Sequence, residues 1–249
     1  MLSRVIFTIL AVTAPLAASA QEEANGLSFR FGLGPSFAPE YFGSDDLGAG
    51  VGAKFELERL KLGGLALGGG ADDYGFGLRG SVRVIGARDA DDFDELAGLD
   101  DVDTSLEIGG GVEFTTPNYD VFAVLRYGAV GHESFVAELG SDIFFRPTDQ
   151  LTISAGPRLL LGDDDYAQTY FGVSAAEAGG AFAAYDAQGG IMSAGAEAEA
   201  TYAINADWEV VGTLRYEQLR EDAADSPITQ SDDQFSGSIV LTRKITFGF

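Results

Sequence analysis

From residue 27 onward, apolar side chains recur at every second position over long stretches of the chain. Leu27, Phe29, Phe31 and Leu33 alternate with Ser28, Arg30, Gly32 and Gly34. The same period joins Ala49, Val51, Ala53, Phe55 and Leu57, then Tyr74, Phe76, Leu78, Val82 and Val84, then Leu106, Ile108, Val112 and Phe114. It returns in Ala194, Ala196, Ala198, Ala200, Tyr202 and Ile204, in Trp208, Val210, Leu214 and Tyr216, and in Phe235, Ile239, Leu241, Ile245, Phe247 and Phe249. Successive residues of a β-strand face opposite sides, so each run predicts a strand with one greasy face. Segments 119–130, 133–145 and 150–161 are less regular, because Phe122 and Val124 share a parity with Arg126. They still read as strands, since the turn signals Thr116-Pro117-Asn118 and Arg146-Pro147-Thr148-Asp149 separate them.

A soluble sandwich would alternate too, but two details place hydrocarbon outside. The runs are about ten residues long, the length of a tilted membrane-spanning strand. Aromatics gather near their ends (Tyr74, Phe114, Tyr119, Tyr127, Phe145, Tyr202, Trp208 and Tyr216), as in interfacial girdles. No run after the leader approaches the ~20 apolar residues of a spanning helix, so the chain can cross a bilayer only as a closed barrel. The fold expected is an all-β, antiparallel, up-and-down transmembrane barrel. Thr116–Asn118, Arg146–Asp149 and Asn205-Ala206 are its short periplasmic turns, and residues 86–102, 129–133, 162–189 and 220–233 its outer loops. Eleven segments stand out, and an even count is required. The expectation is twelve strands, the missing one within residues 59–73, with ten as the alternative.

Both ends carry signals. Residues 1–20 combine Arg4, the apolar stretch Val5–Val12 and the small-residue site Ala18-Ser19-Ala20, which predicts a secretory leader rather than a short buried helix. Cleavage is expected between Ala20 and Gln21, leaving residues 21–249 as the barrel domain. Phe247 and Phe249 close an alternating run, resembling the handle that bacterial outer-membrane proteins offer to the barrel-assembly machinery. The expected location is the outer membrane of a Gram-negative bacterium, in contact with lipid and lipopolysaccharide.

Charge and composition narrow the chemistry. There is no Cys, so neither disulfides nor thiolate catalysis are available. Fifteen Lys and Arg against 39 Asp and Glu give a net charge of −24, which argues against nucleic-acid binding and against adhesion to bare anionic lipid. The acidic excess reads as solvated loops; the sharper alternative is divalent-cation bridging to lipopolysaccharide phosphates. Gly75–Gly80 matches G-x-G-x-x-G but lies inside an alternating run, not at a strand-to-helix turn. His132, the one histidine, has Ser134 close by and reads as an exposed loop residue. Asp89–Asp103 and Asp163-Asp164-Asp165 lack calcium-loop spacing and read as solvated loops. Catalytic, cofactor-binding and metal-binding residues are therefore expected to be none, and the chain not an enzyme. On the inner face, Glu107, Glu113, Glu138, Glu197, Glu199, Glu209 and Glu217 oppose Arg30, Lys54, Arg79, Arg83, Arg126, Arg158 and Arg215. Such charges must be paired or hydrated, which leaves a filled lumen or a narrow pore.

Three stretches carry a family likeness. Gly32-Leu33-Gly34-Pro35 leads to Pro39-Glu40-Tyr41-Phe42-Gly43-Ser44-Asp45-Asp46. Asp165–Val173, containing Tyr170, Phe171 and Gly172, precedes Tyr185-Asp186. Leu219–Asp222 leads to Asp225-Ser226-Pro227-Ile228, Gln234-Phe235 and the closing strand. In order and spacing the chain resembles the MipA/OmpV family of outer-membrane proteins. That resemblance implies an envelope scaffold linking a lytic transglycosylase to a penicillin-binding protein. It brings no catalytic residues; some members look like adhesins or antigens. The loop motifs then serve to fix loop conformation through Asx-type turns and packing. A narrow channel for small solutes is the competing function.

Overall fold

The computed structural model describes residues 25–63, 65–67 and 74–249; the expected leader and its expected cleavage site at Ala20 and Gln21 lie outside them. Among the described residues, eleven strands form one antiparallel sheet. They are β1 (Gly26–Pro39), β2 (Leu47–Leu62), β3 (Leu65–Leu67), β4 (Gly75–Ile85), β5 (Ser105–Thr115), β6 (Tyr119–Val130), β7 (Phe135–Phe145), β8 (Leu151–Gly162), β9 (Gly190–Ala203), β10 (Trp208–Leu219) and β11 (Asp233–Gly248). The spatial order is β3-β2-β1-β11-β10-β9-β8-β7-β6-β5-β4. β1 joins β11 from Gly26↔Gly248 to Phe37↔Gly237, which rolls the sheet into a nearly closed barrel. At the remaining seam β4 comes alongside β2, where a Cβ at Gly80 would lie 3.7 Å from Leu57.

Ten strands are long enough to span, and they alternate in direction around the wall. This is the alternative count of ten, not twelve: within residues 59–73 the described chain adds only the three-residue β3, paired to Leu60–Leu62. The less regular segments are β6, β7 and β8. Phe76, Val51 and Ile143 are 90%, 77% and 71% exposed, facing outward as the alternation requires. A greasy wall of this kind is stable only in hydrocarbon. Phe247 and Phe249 lie on it, exposed.

The turn residues act through their side chains. Thr116 Oγ1 accepts from the amides of Asn118 and Tyr119, Thr148 Oγ1 from Gln150 and Leu151, and Asn205 Oδ1 from Asp207 and Trp208. Each short turn is thus capped by one of its own side chains. Gly75–Gly80 lies within β4.

Two strands contain a Gly-Pro pair, although proline cannot donate to a ladder. At Gly34-Pro35 and Gly156-Pro157 the pairing is interrupted. A Cβ at Gly34 would sit 1.9 Å from the Ile239 oxygen, and one at Gly156 only 1.7 Å from the Ser141 oxygen. Glycine alone admits so close an approach of the two strands. At the second position Arg158 substitutes for the missing amide. Its Nη1 donates to the Ser141 oxygen at 3.2 Å and to the Pro157 oxygen at 3.1 Å. Within a bilayer, a carbonyl without a donor costs several kcal/mol, on the order given by transfer of an amide to hydrocarbon.

Candidate functional site

The inner face carries an ion-pair network that crosses the lumen. Arg83 binds Glu107 at 2.6 Å, Glu107 binds Arg126 at 2.8 Å, and Arg126 binds Glu138 at 2.9 Å. Glu138 reaches Arg215 at 3.1 Å, although β7 and β10 are not neighbours in the wall. Arg215 continues to Glu197 and Glu217, and Glu197 to Arg158, which also holds Asp142. Nearer the turn end Lys54 crosses from β2 to Glu199 on β9 at 2.6 Å, Arg30 bridges Glu58 and Glu209, and Lys244 joins Glu58. Arg79 pairs with Glu113 and Asp120. Every inner-face charge read from the alternation is in this network. Glu58, Asp120, Asp142 and Lys244 were missed, although they too fall on the inward parity of their strands. The parity clash on β6 also resolves. Phe122 and Val124 do point inward with Arg126, and the Phe122 ring lies under Arg79 and Arg158, 4.1 and 5.2 Å from the guanidinium carbons.

Above the network the outer loops fold into a cap. Asp163 accepts from the Tyr166 amide and starts α1 (Asp164–Phe171); Asp164 and Asp165 occupy its first turn, where carboxylates meet the positive end of the helix. The Asp163–Asp165 run is therefore a helix start, not a solvated loop. α1 sends Tyr166, Tyr170 and Phe171 down into the barrel mouth against Val136, Leu160, Met192 and Leu219. A second cluster joins Tyr41, Leu96, Leu99, Val173 and Ile228. The acidic stretch from Asp89 to Asp103 is likewise partly structural, with Asp89 capping a 3₁₀ turn and Asp101 accepting from the Ala90 amide. Among the described residues no group of three or more His, Asp or Glu is arranged to hold a metal ion.

The three loop motifs meet in this cap. Phe42 packs edge-on against Tyr170 at 5.0 Å, and the Ser226 hydroxyl donates to the Phe171 oxygen at 2.6 Å. Gly43 N–H donates to Gln234, Ser44 Oγ accepts from the Asp46 amide, and Ser226 Oγ accepts from Ile228. Tyr41 is buried at 5% exposure, and burial with Glu95 beside it pushes its phenol up to about 12. Asp45, Gly172, Asp225 and Pro227 flank these contacts in sequence, and Gly172 ends α1 by donating to the Gln168 oxygen.

His132 is the main correction. It is not exposed: its side chain has 0% accessibility, under the rings of Tyr166 and Tyr170. Nδ1 accepts from the Ser134 amide at 3.2 Å and lies 2.5 Å from Ser134 Oγ, so Nε2 carries the hydrogen and faces Glu107 at 3.2 Å. Ser, His and Glu thus stand in the order of a hydrolytic triad. Ser134 is only 1% exposed, however, and Glu107 is already neutralised by Arg83 and Arg126. The arrangement is a clasp between loop 131–134 and the barrel wall.

The protein-family comparison settles the affiliation. The model of the family described as MltA-interacting protein MipA matches residues 31–245, the whole barrel wall apart from its edges. The chain belongs to the MipA family. No curated protein matches it in sequence. Among solved structures, this MipA-family barrel is similar to a NanC porin (TM-score 0.37, 9% identity, 88% of this chain and 100% of that one). It is also similar to the CymD monoaromatic hydrocarbon channel (0.35, 12%, 91% and 89%) and to Ail, the attachment invasion locus protein of Yersinia pestis (0.29, 12%, 90% and 100%). At such scores they add nothing to the barrel read from the ladder itself. Family and architecture together place the chain in the outer membrane of Gram-negative bacteria.

Proposed function

We propose that this MipA-family barrel is a closed, non-conducting scaffold that holds murein-processing enzymes beside the outer membrane. The partner classes are a lytic transglycosylase and a penicillin-binding protein. The observation that carries the reading is the obstructed interior. Lys54–Glu199 and Arg215–Glu138 tie opposite walls together, and the aromatic cap closes the mouth above them. An interior bridged by ion pairs and capped by aromatics suits a platform better than a pore. The family description, an MltA-interacting protein, supports the partner class.

Two experiments test this. Reconstituted into planar bilayers, the barrel should give no conductance above protein-free membranes; steady single-channel steps would favour the solute-channel function. Affinity capture of the tagged protein from gently solubilised membranes should recover a lytic transglycosylase. Repeated capture without any murein enzyme would remove the scaffold role.

A further inference from the structure

The greasy wall carries one charge that no protein group answers. Among the described strands, only two positions of outward parity are charged, and both lie on β11. Asp233 is its first residue, at the cap end, and accepts from the Tyr216 hydroxyl at 2.7 Å. Arg243 is the other, and it is exposed. Lys244 beside it turns inward to Glu58, whereas Arg243 makes no hydrogen bond or ion pair among the described residues. Asp207, the acid closest in sequence to its neighbour Trp208, does not pair with it either.

The register fixes where this charge lies. Arg243 stands opposite Phe31 on β1 and Trp208 on β10. Trp208 is the first residue of β10, directly after the short turn capped by Asn205, so the pair sits at the periplasmic end of that strand. The guanidinium carbon rests 5.4 Å from the centre of the Trp208 ring. The indole N–H has no acceptor among the described residues and is a second donor at the same spot. A bare charge on a hydrocarbon-facing wall is costly at depth and is tolerated where it reaches the headgroup layer. That layer offers phosphate oxygens, which the planar guanidinium fork fits in shape and charge.

We infer that Arg243 and Trp208 dock the phosphodiester of a glycerophospholipid in the periplasmic leaflet. The guanidinium and the indole N–H donate to its phosphate oxygens, and its acyl chains lie along the apolar wall. The site thereby ties one lipid to the end of the barrel that faces the murein.

Trp208 is the one tryptophan of the chain, so its fluorescence reads this spot alone. The test uses the purified full barrel in phosphatidylcholine vesicles, doped with phosphatidylglycerol or with diacylglycerol, each carrying the same brominated chains that quench indole. The ratio of quenching between the two lipids is the readout, because removing the guanidinium also alters the emission of the ring itself. Phosphatidylglycerol should compete for the site about fivefold better than the phosphate-free lipid, the factor expected of one basic residue at a phosphate surface. Arg243→Gln should bring the two lipids within about twofold of each other, and Arg243→Lys, which keeps the charge, should hold a preference of at least about threefold. The Arg243 side chain supports no protein group, so both variants should keep heat-modifiable migration. Millimolar inorganic phosphate in the buffer should leave the ratio unchanged. A parent barrel without the preference, or an Arg243→Gln barrel that retains it, overturns the site. Loss of the preference on adding inorganic phosphate overturns the lipid as its ligand and marks a site for soluble anions.

Discussion

Removing the carboxylate of Glu107 tests whether the lumen network holds the barrel together. Glu107 is fully buried and faces three partners: Arg83 at 2.6 and 2.9 Å, Arg126 at 2.8 Å, and His132 at 3.2 Å. In Glu107→Gln, Arg126 keeps Glu138 at 2.9 Å, whereas Arg83 keeps only the Tyr166 hydroxyl. Breaking one partner of a buried ion pair costs about 3–5 kcal/mol, because the remaining charge stays desolvated. With Arg126 still paired, the expected loss is about 3 kcal/mol, the cost arising mainly at Arg83. The assay is reversible urea unfolding from lipid vesicles, followed by fluorescence of Trp208, the one tryptophan in the chain. The companion variant R83M/E107L removes both charges of the broken pair while Arg126 stays on Glu138, and should recover most of the loss, since buried pairs are often replaceable by apolar groups. A Glu107→Gln loss below about 1 kcal/mol would refute the reasoning, as would a double variant weaker than the single one.

Other expectations follow from single contacts. Arg158→Lys should cost about 1–3 kcal/mol by leaving the Ser141 and Pro157 carbonyls without a donor. The cost should shrink in a Pro157→Ala background, where an amide returns, and a double-mutant cycle without coupling would rule this out. Glu177 loses solvation on burial, yet the amides of Asp100 and Ser174 hold its carboxyl below the usual carboxylate range. Its contribution to stability is therefore present above the ordinary glutamate value and lost as pH falls through the lowered one, so hydrogen exchange in residues 172–187 should rise selectively in acid. Ser134 should resist fluorophosphonate labelling in the native barrel, and His132→Ala should loosen the cap against protease. Efficient labelling that His132→Ala abolishes would instead mark a working nucleophile. Ser226→Ala should lower cap stability by about 1 kcal/mol through loss of its bond to Phe171, measured by limited proteolysis.

The wall was legible because lipid outside and charge inside impose one rule on every strand. The inward charges from Arg30 to Glu217 are where the period of two places them. It was least clear on β6, since cations stacking on Phe122 let an aromatic ring serve as a lumen residue. The strand count drifted to twelve because residues 59–73 look like a hairpin in sequence, while the described part of that stretch adds only Leu65–Leu67 to the sheet. The cap was hidden for another reason. His132 finds Glu107, Phe42 finds Tyr170 and Ser226 finds Phe171 across 25, 128 and 55 positions of chain. No local pattern announces such pairs, and α1, at eight residues, is too short to show helical periodicity.

Loops that interlock in this way cannot diverge one at a time. Most surface loops of barrels drift freely, yet here a change at Phe42 alters the seat of Tyr170, and a change at Ser226 unties Phe171. Transplanting one loop onto another barrel would carry its letters without its shape. Variation imposed from outside the cell should therefore collect at exposed loop positions whose side chains hold no other loop.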